Sequence, residues 1–461
     1  MTNTLIERIN KETGEVSTVK KYDWGEVEQQ SLEQILTERF SLQGTVRTLL
    51  PTSSTAKCLR LTTGGNVSVQ KSIEHKTCSY AGLQTCSSVW ACPICSARIS
   101  VRRRTETIQA MEKHQADEGR LYFITLTFPH SNTESLSFLK SAFASALKKL
   151  RSSYAYKTYK KEVGYVGLIR ALEITYGFKN GWHPHCHEVV FAKNEKSFHS
   201  IKSLLFPAWK KACLASGLPA PSFRRGIDVK GGEKAGDYIN KFGNELAMSH
   251  MKKARSERFT PFDLLRGYHH ENDKQLGAKF VEYAKGMKGA RQLYWTNGLK
   301  EKFGVDEKTD EELAAKTEDK HTFLGDIHMD RWRAVVSGKA RATVLLISQK
   351  HGFENAKTLI ESLWVRYVSS GKKHEDDLRM AKYKEKLLKR ECKPKPPTQE
   401  EREAVVLKLQ AVLNSNRLTD EKAKNRKEWI SKSTQEWMDE NMSNITNPFH
   451  GKKSYSTKFN L

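Results

Sequence analysis

Apolar residues recur along this chain with strand period in some stretches and helix period in others, and their order gives the first expectation. Leu121-Tyr-Phe-Ile-Thr-Leu-Thr-Phe128 is rich in β-branched and aromatic residues and stops at Pro129, which predicts a strand. Leu136, Leu139, Phe143, Leu147 and Leu150 fall on one face of a helix over about 135–150. Residues 166–176 and 182–191 predict two more strands, joined through Gly177-Phe-Lys-Asn-Gly181 as a hairpin. A helix over about 198–215, a strand near 226–229 and a helix over about 233–248 follow. This order predicts an α+β fold, a central antiparallel sheet flanked by helices.

The flanking regions are patterned differently. Residues 1–57 read as a polar N-terminal arm with one short helix around 29–40, and residues 58–120 as a cysteine-bearing element running into a basic helix. The sheet domain occupies 121–300. Residues 301–461 read as a mostly helical C-terminal region for DNA or partner binding. In that region Trp332, Leu345, Leu346, Ile347, Phe353, Leu359 and Leu363 build a small core, and a basic lobe near residues 339–341 suits duplex DNA. Lys393-Pro-Lys-Pro-Pro397 reads as a stiff linker, and Thr398-Gln-Glu-Glu401 has capping-box spacing.

Composition then narrows the function. The 461 residues are 38% hydrophobic, enough for real cores, so a wholly disordered chain is excluded. No run of about 18 apolar residues and no secretory core at the N-terminus is present, which argues against a membrane or secreted protein and for a cytoplasmic setting with no membrane partner. Lys and Arg number 78 against 53 Asp and Glu, a net charge of +25, of which residues 1–300 carry +19. That excess points to a polyanion, with nucleic acid the first candidate. Eight cysteines, several of them clustered, are too sparse for a disulfide scaffold and suggest metal.

Cys92-Pro-Ile-Cys95 is a tight turn able to hold two corners of a tetrahedral zinc ion. Cys86 is the expected third ligand and Cys78 the fourth, with His75 and Cys58 as alternatives. Arg98, Arg102, Arg103 and Arg104 follow at helical spacing; they either grip phosphates or form a solvated face.

His183-Pro-His185-Cys-His187 carries more chemistry. Residues two apart on a strand share a face, so His185 and His187 point one way and Cys186 points into the core. A third ligand is expected from the hairpin partner. Pairing Thr175 with His185 would set Glu173 opposite His187, making Glu173 the oxygen ligand in reach. Two imidazoles and a carboxylate accept Mn²⁺ or Mg²⁺ and leave positions open for a phosphate oxygen. Further on, Lys234, Tyr238 and Lys241 share one helical face, and flanking cations favour a phenolate nucleophile. Tyr283 is a rival.

Together these segments resemble the rolling-circle plasmid replication initiators of the HUH endonuclease superfamily, in the class with one principal catalytic tyrosine. Phe123-Ile-Thr-Leu-Thr127, Trp182-His-Pro-His-Cys-His187 and Tyr238 with Lys241 carry the resemblance. Cys86-Ser-Ser-Val-Trp-Ala-Cys-Pro-Ile-Cys95, Arg258-Phe-Thr-Pro-Phe-Asp-Leu-Leu265 and Arg291-Gln-Leu-Tyr-Trp-Thr-Asn-Gly-Leu299 add to it, over roughly residues 55–300. It implies a metal ion at Glu173, His185 and His187 on the scissile phosphate of a single-stranded or hairpin plasmid origin. Tyr238 would attack, leaving a 5′-phosphotyrosyl link and a 3′-OH primer, and the same site would rejoin ends. Lys241 would assist, and Arg102, Arg103, Arg104 and Lys234 would contact DNA. Some relatives use a Glu about one turn before the tyrosine to activate water and end the cycle. Here Glu233 stands five residues before Tyr238, with Asp237 adjacent. Host helicase and DNA polymerase are the implied partners. Competing readings are a single-strand transposase, a relaxase (whose tyrosine usually precedes the histidine motif) and a non-enzymatic zinc-dependent DNA-binding protein.

Overall fold

The computed structural model describes residues 4–9, 16–21, 31–231, 258–315 and 320–391, with isolated positions between 399 and 436. Glu233, Lys234, Asp237, Tyr238 and Lys241 lie outside the described residues, as does the linker at 393–397. The chain divides into two units, Met1–His374 and Glu375–Leu461. The second is described chiefly at residues 375–391, the larger part of the helix Lys372–Glu391.

In the first unit, β1 (Thr4–Ile9) and β2 (Val16–Lys21) form an antiparallel ribbon. β3 (Asn66–Ser72) pairs with β4 (Cys78–Ala81). β5 (Arg120–Leu126), β6 (Tyr165–Gly177), β7 (Gly181–Ala192), β8 (Ile227–Gly231) and β9 (Leu293–Trp295) make the central sheet, antiparallel throughout, in the order β8-β5-β7-β6-β9. The fold is therefore α+β, with the strands and helices of the central domain lying close to where the hydrophobic periods predict them.

Alternation along each strand divides the sheet into two faces. Ile124, Leu126, Leu168, Ile174, Cys186 and Val190 turn toward the helices Leu136–Ser152 and Phe198–Leu214, whose Leu139, Phe143, Leu147, Leu205 and Trp209 complete one core. A buried polar residue on this face, Glu188, is paired with Arg151. The opposite face carries Leu121, Ala171, Val189 and Phe191 under Ala110 and Met111 of the helix Pro93–Ala116, together with Leu299, Phe303 and Val305. Farther along this second face, apolar residues give way to histidines.

The hairpin that places them closes on the pair Gly177↔Gly181 around a three-residue loop. Glu173 therefore stands directly opposite His185, and His187 faces Ala171. The pairing expected from sequence is displaced by two residues: with Tyr176 opposite Trp182, Glu173 meets His185 and Thr175 meets His183. Gly181 has φ +72°, and a Cβ there would lie 2.6 Å from both Asn132 Cα and Ser131 O. Gly181→Ala is expected to lose at least the ~1–2 kcal/mol of a left-handed non-glycine residue, plus the cost of moving that backbone. A fall in Tm and in the urea midpoint checks this.

Two boundary expectations need correction. Residues 31–57 are not an arm: Ser31 and Gln34 form a capping box opening the helix Leu32–Leu49, which buries Phe40, Leu42 and Val46. Its apolar stripe is broken in sequence by Gln43 and Thr45, which are nevertheless buried. Distant partners satisfy them: Gln43 Nε2 donates to Cys58 O at 2.9 Å, and Thr45 Oγ1 lies 2.8 Å from His269 Nδ1.

Residues 301–374 are likewise not a separate domain. β10 (His321–His328) pairs antiparallel with β3. Trp332 packs edge-on against Tyr80 at 4.8 Å and donates from Nε1 to Arg60 O. Arg341, assigned from sequence to a duplex-binding lobe, is buried, donating to Leu59 O at 2.9 Å and to Gln43. β10 was missed because His-Thr-Phe-Leu-Gly-Asp-Ile-His lacks clean alternation, bulges between Phe323 and Gly325, and pairs with a strand some 250 residues away. No helix among the described residues is long and apolar enough to cross a membrane.

Candidate functional site

On the second face of the sheet, Glu173 of β6 and His185 and His187 of β7 converge. Glu173 Oε2 lies 3.1 Å from His185 Nε2 and 3.2 Å from His187 Nε2. Each ring is set from behind: His185 Nδ1 is 3.3 Å from His183 O, and His187 Nδ1 is 3.0 Å from Thr125 Oγ1 on the neighbouring strand β5. A carbonyl acceptor places a hydrogen on Nδ1 of His185, so that the neutral ring presents the lone pair of Nε2 inward. Lone pairs facing a carboxylate oxygen at such distances repel unless a proton or a cation lies between them. The three residues thus fit a divalent ion, one nitrogen from each imidazole and one oxygen, with coordination positions left over.

His183 shares this face but does not join the cluster. It is half-buried beside Thr127 Oγ1, 3.2 Å from its Nε2, with the His130 ring 4.4 Å away. Burial first, then the neighbouring His185 and His130, push its pKa down to about 2. In the sequence, Thr125 and Thr127 stand out only as part of the stretch Phe123-Ile-Thr-Leu-Thr127. Their spacing of two on a strand already put them on the histidine face, but the strand order that makes them neighbours of β7 was not readable.

The second cluster comprises Cys58, Cys86, Cys92 and Cys95. Cys58 and Cys95 Sγ are 3.5 Å apart, Cys92 and Cys58 3.7 Å, and Cys86 and Cys95 3.8 Å. A tetrahedron of ~2.3 Å metal–sulfur bonds has edges of about 3.8 Å, so four thiolates at this spacing suit one tetrahedral ion. Cys95 Sγ, ringed by the other three thiols, is held well below the usual thiol range. Cys78 does not belong: it lies on β4 with its backbone N–H bonded to Gln349 Oε1, and Cys58 supplies the fourth sulfur. Adjacency in sequence favoured Cys78, whereas Cys58 is brought in by the fold of the preceding helices. The helix Pro93–Ala116 begins at Cys92 with Pro93 in its first turn, so the knuckle is also a helix start.

The sequence profile of the replication protein family Rep_1 matches residues 79–334, more than half the chain and including both Glu173-His185-His187 and three of the four clustered cysteines. The chain belongs to that family. The known class of this family is the HUH superfamily, which agrees with the resemblance carried by the motifs. Among similar proteins are "Protein rep" of Streptomyces lividans, 28% identical over 295 positions covering 49% of this chain and 65% of that protein. The "Neomycin resistance protein" of Streptomyces cyanogenus is 30% identical over 133 positions, 24% of this chain and 30% of that protein. "Protein rep" of Lactiplantibacillus plantarum is 29% identical over 123 positions, 26% of this chain and 38% of that protein. The chain thus spans less than two thirds of each of these relatives. No solved structure matches it.

In this replication protein the two clusters are mechanically joined. Trp90, between Cys86 and Cys92, donates from Nε1 to Ala290 O and packs edge-on against Tyr283 at 6.1 Å. Tyr283 in turn stacks on Trp182, the residue before the histidine run, at 6.2 Å. Tyr283 is fully enclosed there, and burial raises its phenol well above the usual range. It is packing, not a nucleophile.

The arginine run after Cys95 is also largely committed. Arg98 and Arg102 donate to Ala314 O and Leu313 O at 3.3 and 2.6 Å, and Arg103 pairs with Asp310. These contacts hold the helix Asp310–Ala315, so the expectation that Arg102 and Arg103 present a free phosphate-gripping face is revised. Arg104 is half-buried, with its Nε enclosed and without a hydrogen-bond partner.

Proposed function

We propose that the chain initiates plasmid rolling-circle replication by nicking single-stranded or hairpin origin DNA through tyrosine transesterification. The observation carrying this reading is the convergence of Glu173, His185 and His187 within one hairpin of a family member. Mn²⁺ or Mg²⁺ held there would supply Lewis-acid polarisation of a phosphate oxygen, and Zn²⁺ would occupy the four-cysteine cluster as structure.

The ends of the tyrosine-bearing segment support Tyr238 as the nucleophile. That segment leaves β8 at Gly231, which pairs with Tyr122, three positions along β5 from the Thr125 that faces His187. It returns at Phe259, which bridges Tyr176 beside the hairpin loop. Both ends of the segment thus abut the sheet that carries the metal-ligand group.

The Tyr238 oxygen attacks phosphorus and the P–O3′ bond breaks, giving a 5′-phosphotyrosyl link and a free 3′-OH that primes synthesis. Lys234 and Lys241 favour the phenolate. Glu233 or Asp237 would activate water to end the cycle. Because a phosphodiester is exchanged for a phosphodiester, reversal rejoins ends.

Labelled origin oligonucleotides incubated with the full chain and Mn²⁺ test this on denaturing gels. A covalent adduct is expected with wild type and none with Tyr238→Phe. An adduct that survives Tyr238→Phe removes Tyr238 from the role, and DNA binding with no adduct from wild type sinks the nickase reading.

A further inference from the structure

We propose that the outer side of the helix Phe198–Leu214, with the turn Phe223–Gly226, is a stacking platform for single-stranded nucleic acid, separate from the metal centre. The proposal rests on the reading above that this chain handles single strands. Phe198 and Phe223 are 44% and 41% exposed, although large aromatic rings gain by burial. They are not isolated. Lys202 Nζ stands 4.8 Å from the Phe223 ring centre, His199 is 6.3 Å from it, and Phe206 supports it at 5.1 Å. Arg224 and Arg225 are exposed beside it.

The charge around these rings is one-sided. Residues 196–227 contain no Asp or Glu at all, in a chain that has 53. Lys202, Arg224 and Arg225 have no acidic partner among the described residues. Unpaired cations interleaved with exposed rings match a ligand that alternates phosphates with flat faces. A duplex conceals its base faces in the stack, so the fit is to a single strand. An acidic protein surface would satisfy the cations but leave the rings without a purpose.

The position is informative too. This helix packs on the face of the sheet opposite Glu173, His185 and His187. Yet the Phe198 ring lies against Gly231, where an added Cβ would come within 2.1 Å of it. Gly231 ends β8, the edge strand that leads into the Tyr238 segment. A strand held on the platform would therefore pass around that edge toward the metal face.

Fluorescence anisotropy with the full chain and a labelled 30-mer of dT, without Mn²⁺ or Mg²⁺, tests the proposal over a range of salt. Phe223→Ala should weaken binding roughly tenfold or more. Arg224→Gln with Arg225→Gln should flatten the slope of log Kd against log salt by about 1.4. Binding of a 30-base-pair duplex should change little. All substituted positions are exposed, and near-UV circular dichroism confirms the fold. If both variants bind dT as wild type does, the platform is overturned, whatever happens to nicking. If dT binding depends on the platform but wild type forms no adduct with origin DNA, the nickase reading fails alone.

Discussion

Glu173→Ala is expected to slow adduct formation on the origin oligonucleotide by about 10³-fold, some 4 kcal/mol of transition-state stabilisation. The size follows from what the residue does. Its Oε2 is the only carboxylate oxygen in the metal-ligand group of the described residues, 3.1 and 3.2 Å from the two imidazole nitrogens. Without it, two neutral nitrogens remain, a set that binds hard cations poorly. Single-turnover rates should fall while oligonucleotide binding stays near wild type, since the carboxylate contributes negative charge that DNA does not seek. Raising Mn²⁺ should recover part of the rate in Glu173→Asp and little in Glu173→Ala. Nicking by Glu173→Ala at the wild-type rate would sink the metal reading.

Removal of the ion from the cysteine cluster should have the other large effect. Structural zinc in small sites contributes apparent free energies of ~10–16 kcal/mol near neutral pH, comparable with the ~5–15 kcal/mol stability of a whole domain. Titration with an organomercurial and a zinc indicator should release one equivalent per chain. Cys92→Ser should abolish that equivalent, and Cys78→Ala should keep it. Near-UV ellipticity should collapse with release, because Trp90, Tyr283 and Trp182 form one aromatic chain from the cluster to the histidine strand. Adduct formation should fall as well, although no cysteine touches the reacting phosphate. Retention of the ion by Cys92→Ser would refute the four-cysteine assignment.

How much of this was legible beforehand divides along sequence distance. The helix Leu136–Ser152 and strands β5 to β8 were visible because their periods are local, and the metal trio was visible because two of its members lie two residues apart. What escaped reading depended on partners brought from far away. Strand period puts Glu173 on one face or the other, but only the closing pair Gly177↔Gly181 sets it opposite His185. Cys58 and Cys78 are equivalent as residue types, and the helix Leu32–Leu49, whose Gln43 donates to Cys58 O, helps select the former. Arg102 and Arg103 look like a free basic stripe until Asp310 and the Leu313 carbonyl, some 200 residues later, are placed against them.

The pairing of β10 with β3 also bears on synthesis. The three-stranded sheet closes a circuit of about 250 residues, and at ~5–20 residues per second the ribosome needs roughly 12–50 s to deliver the second half of that pair. Throughout that interval the edge of β3 is an unpaired ladder, and Trp332 has yet to cover Tyr80. Contacts of such separation slow folding. A chain that stalls or is cut near residue 300 would expose a strand edge and an aromatic seat at once, and such fragments would be candidates for aggregation and proteolysis rather than for partial function. The amount of this protein in a cell would then depend on completed chains rather than on started ones.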